Sequence, residues 1–140
     1  MNLDNRIREL AESLGADYCG VADLSAARDF IERQGGKRVA GYPRAVVMGI
    51  RLLDELVDLL PEREDPVIAG LSRHHTYDVV NQALDLIALR VANVIQGAGF
   101  GAFPVPASKR ASDERIAGIF SQKLAAHMAG LGWIGKSCLL

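Results

Sequence analysis

Residues 130–137 read Gly-Leu-Gly-Trp-Ile-Gly-Lys-Ser, GLGWIGKS. How this stretch is read decides the fold. It matches G-x-x-x-x-G-K-[ST], the phosphate loop, and its first six residues match G-x-G-x-x-G, the dinucleotide fingerprint. Both sites need a strand before the glycines and a helix after them, because loop amides and the helix N-terminus hold the phosphates. Here the order is reversed. FSQKLAAHMAG, residues 120–130, comes first and is helical in pattern, whereas the residues after Ser137, CLL, are strand-like. The acidic residue that a dinucleotide site needs about 20 positions later has no place in this sequence. A nucleotide site is therefore rejected on element order. In its place, Gly130 or Gly132 ends the preceding helix in the left-handed conformation. Trp133, the one tryptophan, is expected as a core anchor or a cavity wall.

Working outward, Leu3, Ile7, Leu10, Ala11 and Leu14 share one face of a first helix, with Asn2 or Asp4 at its start and Gly15 at its end. Residues 17–24 and 45–52 are apolar and compact enough for buried strands. Between them, a short helix from an N-cap at Ser25 to Arg33 is expected, closed by Gly35 and Gly36. A glycine-rich basic loop over 35–44 follows. Residues 53–60 form a short amphipathic helix stopped by Pro61, and 61–66 a charged loop. The longest helix spans about Thr76 to Gln96. Val80, Leu84, Ile87, Val91 and Val94 or Ile95 make its stripe, and Leu86 and Leu89 lie off it. Apolar residues on two faces call for cover on two sides, from the domain or from a second subunit. Residues 101–108 carry two prolines and suit an edge strand or a rigid loop. A last helix covers about 120–129. The fold class expected is α+β, or α/β, as a single domain over residues 1–140. It has a mixed sheet of about four strands packed with helices.

Composition narrows the class. At 140 residues and 49% hydrophobic, the chain can bury a core and is not a disordered segment. A net charge of -1 with no like-charge block gives no nucleic-acid footprint. No stretch has the length of a membrane span or a signal core, so the expected location is the cytoplasm. Two cysteines, Cys19 and Cys138, make no disulfide framework and no iron–sulfur ligand set. The apolar ending KSCLL suggests a fragment or a terminal strand.

The stretch GIFSQKLAAHMAGLGWIGKSCLL, residues 118–140, resembles the N-terminal domain of the epoxyqueuosine reductase-like iron–sulfur proteins, relatives of reductive dehalogenases. The specific element is a helix running into A-G-L-G-W-x-G-K, here Ala129, Gly130, Leu131, Gly132, Trp133, Gly135 and Lys136. GYPRAVVMGIRL (41–52), HHTYDVVNQALDLIALRVANVIQ (74–96) and FPVPAS (103–108) support it in the same chain order. The resemblance implies a cobalamin-binding domain of an oxidoreductase. It also implies a downstream ferredoxin-like domain, absent from this chain, whose two [4Fe-4S] clusters deliver electrons to the corrinoid. Alone, this chain is then expected to be inactive. The family's best-known substrate is a tRNA. Its D-S-x-P-V-x-E stretch does not recur: the aspartate position, the presumed proton donor, falls on Ile116 and the glutamate position on Gln122, with Asp113 and Glu114 displaced. That places the epoxide-reducing activity in doubt and favours a sister group with another substrate.

Under this reading the cofactor contacts are Lys123, Gly130, Gly132, Trp133, Gly135, Lys136, Tyr77 and Ser108. Glycines let backbone approach a flat ligand, and the rigid FPVPA backbone presents Ser108 beside Lys109 and Arg110. Each has an ordinary alternative on a helix surface or in a loop. Lys37, Arg38 and Arg44 are candidate contacts to a cofactor tail or a solvated basic loop. His74 and His75 are adjacent and do not share a helix face, so a two-histidine metal site is poor geometry. His127 is read as a surface or core histidine, and Cys19 as an inert core thiol. Two alternatives remain open: a non-catalytic binding or dimerisation module acting through Leu86 and Leu89, and a flavin-binding reductase domain.

Overall fold

The computed structural model describes residues 1–109, 112, 114 and 117–136. The strand expected over SCLL, Cys138 within it, and Arg110, Asp113 and Ile116 lie outside the described residues.

The first helix, α1, covers Leu3–Ser13. Asn2 caps it by accepting from the Asn5 amide at 2.9 Å. That satisfies one of the orphan donors of the first turn. After a left-handed Gly15 the chain enters β1, Tyr18–Asp23. Ser25 does not cap a helix with its side chain. Its amide instead donates to Asp23 Oδ1 at 2.9 Å, and a 3-10 turn leads into α2, Arg28–Ala40. The expected basic loop is thus mostly helical. Gly36, at φ 84°, breaks α2 into two pieces, and Lys37 and Arg38 lie on the second.

Strand β2, Arg44–Gly49, pairs antiparallel with β1 from Tyr18↔Gly49 to Asp23↔Arg44. The ladder closes with Asp17 N–H on the Gly49 carbonyl and Leu24 N–H on the Pro43 carbonyl, each 2.9 Å. Among the described residues these two strands are the whole sheet. The expectation of about four strands in a mixed sheet is corrected here, and antiparallel pairing beside helices makes the class α+β. Residues 101–108 form no strand: prolines at 104 and 106 leave too few N–H donors for a ladder.

Beyond β2, α3 covers Asp54–Asp58. Pro61 does not stop the chain turning; it sits inside a 3-10 turn over Leu60–Glu62. Sequence patterning missed α4, Pro66–Arg73, although Asp65 caps it and Pro66 occupies its first position. A π-helical segment, His74–Val80, joins α4 to α5, Asn81–Gly97. The last helix, α6, is Gln122–Met128, with Ser121 accepting from the Leu124 amide.

The two-stranded ribbon lies between helices on both faces. Cys19, Val46 and Met48 turn to one side and pack with Ile7, Ala11, Ile87 and Val91 from α1 and α5. Ala22 and Ala45 turn to the other and pack with Leu24, Ile31, Phe120, Met128 and Ala129. That second face is built of small residues, so α6 comes close. A Cβ added at buried Gly20 would lie 3.2 Å from Ala129 Cβ and 3.2 Å from Leu131 Cδ2.

Candidate functional site

Three pieces of chain enclose an open cleft of about 960 Å³. One wall is α2, through Phe30, Arg33 and Gln34. The second is the proline segment from Val105 to Lys109. The third runs from Ala117 to Lys123, into the first turn of α6.

Side-chain amides hold these walls together. Gln34 Nε2 donates to the Gly118 carbonyl at 2.9 Å, across 84 residues of sequence. Gln122 Nε2 donates to the Pro106 carbonyl at 2.7 Å. The Ala107 amide donates to Asp85 Oδ1 at 2.8 Å, which ties the proline segment to α5. Two prolines fix φ through this segment, so it acts as a rigid wall. Gly35 completes the contact: a side chain there would run into the Ile119 carbonyl oxygen.

The lining mixes chemistry in the way small-molecule sites do. Phe30, Pro106, Ile119 and Phe120 are apolar, while Arg33, Gln34, Ser108, Lys109, Gln122 and Lys123 are polar. The volume is at the upper end of the roughly 300–1,000 Å³ typical of such sites.

Of the eight expected cofactor contacts, the structure brings two, Ser108 and Lys123, to this cleft. The other six lie elsewhere. Gly130 has φ 75° and follows the end of α6, with its amide on the His127 carbonyl and the Leu131 amide on the Ala126 carbonyl, each 3.0 Å. That pair of hydrogen bonds is the Schellman C-cap, so of the two glycines offered as the helix end it is Gly130 that takes the left-handed position. The Gly132 carbonyl accepts from His127 Nδ1 at 3.2 Å. A carbonyl only accepts, so Nδ1 carries the proton. Trp133 is 75% exposed and anchors no core, which corrects that expectation. Gly135 and Lys136 are exposed. Tyr77 is 62% exposed on the π-helical segment and lines no cavity among those described.

The histidine pair diverges. His74 Nδ1 lies 3.6 Å from Asp78 Oδ2, and His75 Nε2 accepts from the Leu53 amide at 3.3 Å. Among the described residues no group of three or more His, Cys, Asp or Glu is placed to hold a metal ion. Cys19 is half-buried, and burial pushes its thiol pKa up, with Glu12 adding to the rise and Arg8 opposing it. Gln122 uses its side-chain amide on the Pro106 carbonyl and has no carboxyl with which to exchange a proton. No described helix is long and apolar enough to cross a membrane.

Phe30, Arg33 and Gln34 were not singled out from sequence. Their spacing of i, i+3 and i+4 puts them on one helix face, and an aromatic beside polar residues on that face was the available signal.

No protein-family model matches the chain, no curated protein matches it, and no solved structure matches it.

Proposed function

We propose that this chain is the cofactor-holding domain of an oxidoreductase resembling epoxyqueuosine reductase, with cobalamin in the cleft between α2, the proline segment and the start of α6. One observation carries the reading: a cleft of about 960 Å³ that joins Ser108 and Lys123 in one wall system. The residues suit a large, flat, partly polar group. Phe30, Pro106 and Phe120 offer apolar surface to a ring, while Ser108 offers a hydroxyl to amide-type substituents. A bound corrinoid supplies metal-centred redox chemistry. The chain's own residues supply a shaped wall, orientation and partial exclusion of water. In this reading A-G-L-G-W-x-G-K shapes the corner that seats α6 on β1, through Leu131 against Gly20.

Titration with cob(II)alamin, followed in the visible spectrum, tests the proposal. A saturable change is expected, weakened by about tenfold or more, 1.4 kcal/mol, in Phe30→Ala. No change at saturating protein and corrinoid concentrations would sink it. A parallel flavin titration separates the reductase alternative.

A second reading, a dimerisation module, is favoured by α5. Leu86 is 62% and Leu89 48% exposed, opposite the buried Ile87 and Val91. Size exclusion with light scattering tests it. A concentration-independent monomer would remove it.

A further inference from the structure

We infer that the cleft selects its ligand through a phosphate-type anion held between Arg33 and Lys109. This deepens the proposed function and rests on its placing of the ligand site. Arg33 comes from α2 and Lys109 from the end of the proline segment, so two cations reach one cleft from separate walls. Lys123, in the first turn of α6, lines the same cleft but already has an interaction of its own, so the anion site is assigned to Arg33 and Lys109. Among the described lining residues there is no carboxylate, and neither Arg33 nor Lys109 makes an ion pair among the described residues. The concentration of positive charge is local, because the whole chain has 16 basic and 17 acidic residues and a net charge of -1.

Physical chemistry points the same way. Clefts lined by one sign of charge, with low-dielectric walls, focus the field and raise the local concentration of counter-ions. Here Phe30, Pro106, Ile119 and Phe120 are the low-dielectric walls. A guanidinium fork matches two oxygens of a phosphate at once. The neighbouring Gln34 is fixed on the Gly118 carbonyl at 2.9 Å, which holds the Arg33 turn of α2 against the opposite wall. Phe30, 47% exposed one turn before Arg33, gives a planar surface for a ring attached to the anion. The ligand class is therefore a ring-bearing phosphate or phosphodiester.

The test uses the whole chain, isotope-labelled, with inorganic pyrophosphate as the anion probe and amide shifts as the readout. Pyrophosphate is expected to move the amides of residues 33–34, 107–109 and 117–123 saturably. The affinity should drop by more than about tenfold in Arg33→Ala/Lys109→Ala and fall steadily with salt. FMN should bind more tightly than riboflavin, which lacks the phosphate. Both substituted side chains are exposed, and an unchanged thermal melt checks that the variant folds. The absence of shifts in these segments overturns the inference, as do equal affinities in wild type and variant, or for FMN and riboflavin. Binding of cob(II)alamin without any response to pyrophosphate overturns the anion site and leaves the cofactor reading standing. The reverse result removes the cofactor reading and keeps the anion site.

Discussion

Replacing Gly35 by alanine should break the cleft, whereas the same change at Gly70 should stabilise the chain. Both glycines are helical, in α2 and α4. A Cβ at Gly70 meets nothing within 4 Å. There the helix simply gains the alanine propensity, about 0.8–1.0 kcal/mol. At Gly35 the added Cβ meets the Ile119 carbonyl oxygen inside the 3.0 Å that real Cβ contacts respect, with Val39 Cβ at 3.1 Å. Backbone oxygen cannot rotate away, so the 117–119 segment must retreat by about 1 Å to restore contact distance. Overpacking of this kind costs about 1–3 kcal/mol. The retreat also stretches the Gln34 to Gly118 hydrogen bond, now 2.9 Å, at about 1 kcal/mol. Set against the propensity gain, the net loss is roughly 1–3 kcal/mol. With 140 residues the unfolding entropy is roughly 0.3 kcal/mol/K, so 2 kcal/mol lowers Tm by roughly 7 °C. Gly70→Ala should raise it by roughly 3 °C. Calorimetry of the three proteins in one buffer reads both shifts. A Gly35→Ala protein that melts at or above the parent would refute the reasoning, because the close approach would then carry no cost.

Other consequences follow from neighbouring residues with different surroundings. Ile87 is 3% exposed and Leu86 62%, so Ile87→Ala should cost about 2–5 kcal/mol and Leu86→Ala less than about 0.5 kcal/mol in denaturant unfolding; similar losses would contradict the assigned faces of α5. The Asp23 carboxyl is held below the usual aspartate range, first by the Ser25 amide, then by the Ser25 hydroxyl, with Arg44 assisting. Its contribution to stability is therefore complete above the unfolded value of about 3.9 and is lost as pH falls through the lower folded value. Asp23→Asn should flatten the acid limb of a Tm-against-pH curve, and an unchanged limb would show that the turn contributes nothing. For Cys19 the raised pKa has the opposite sense: the neutral thiol is favoured, and that stability is present below the unfolded value and lost as pH rises through the folded one. Site-resolved alkylation near pH 8 should be slower at Cys19 in the native chain than in denaturant, and equal rates would contradict its burial.

Elements with a strong period were legible. The stripe of Val80, Ile87 and Val91 is buried, and Asn2, Gly15 and Gly130 stand at helix ends where their chemistry places them. What failed lacked a local signal. The missed α4 is short, and its Asp65-Pro66 start reads equally as a charged loop until Asp65 Oδ1 is seen accepting from Val67 N–H at 2.8 Å. The π-helical segment over His74–Val80 has no period to distinguish it from the α-helices on either side. Strand number was overestimated because the segment at 101–108 is apolar, and only tertiary context decides whether such a segment enters a ladder. At Trp133, hydrophobic bulk predicted burial, but the chain leaves the α6 corner outward, and no element covers the indole among the described residues.

The site shows why motif and cleft came apart. Within GLGWIGKS, Gly130 is the left-handed residue that a Schellman turn needs, and Leu131 closes on the bare backbone of Gly20. These are requirements of packing, and they leave the same letters that a ligand loop would. The cleft is written otherwise. Gln34 meets Gly118 across 84 positions, and Gly35 meets Ile119 across a similar separation. No window of sequence contains both partners, so no local pattern can announce them. The residues best placed to touch a ligand are set by a glycine whose missing side chain lets two walls approach. For that reason the Gly35→Ala variant tests the site more directly than any change within the motif.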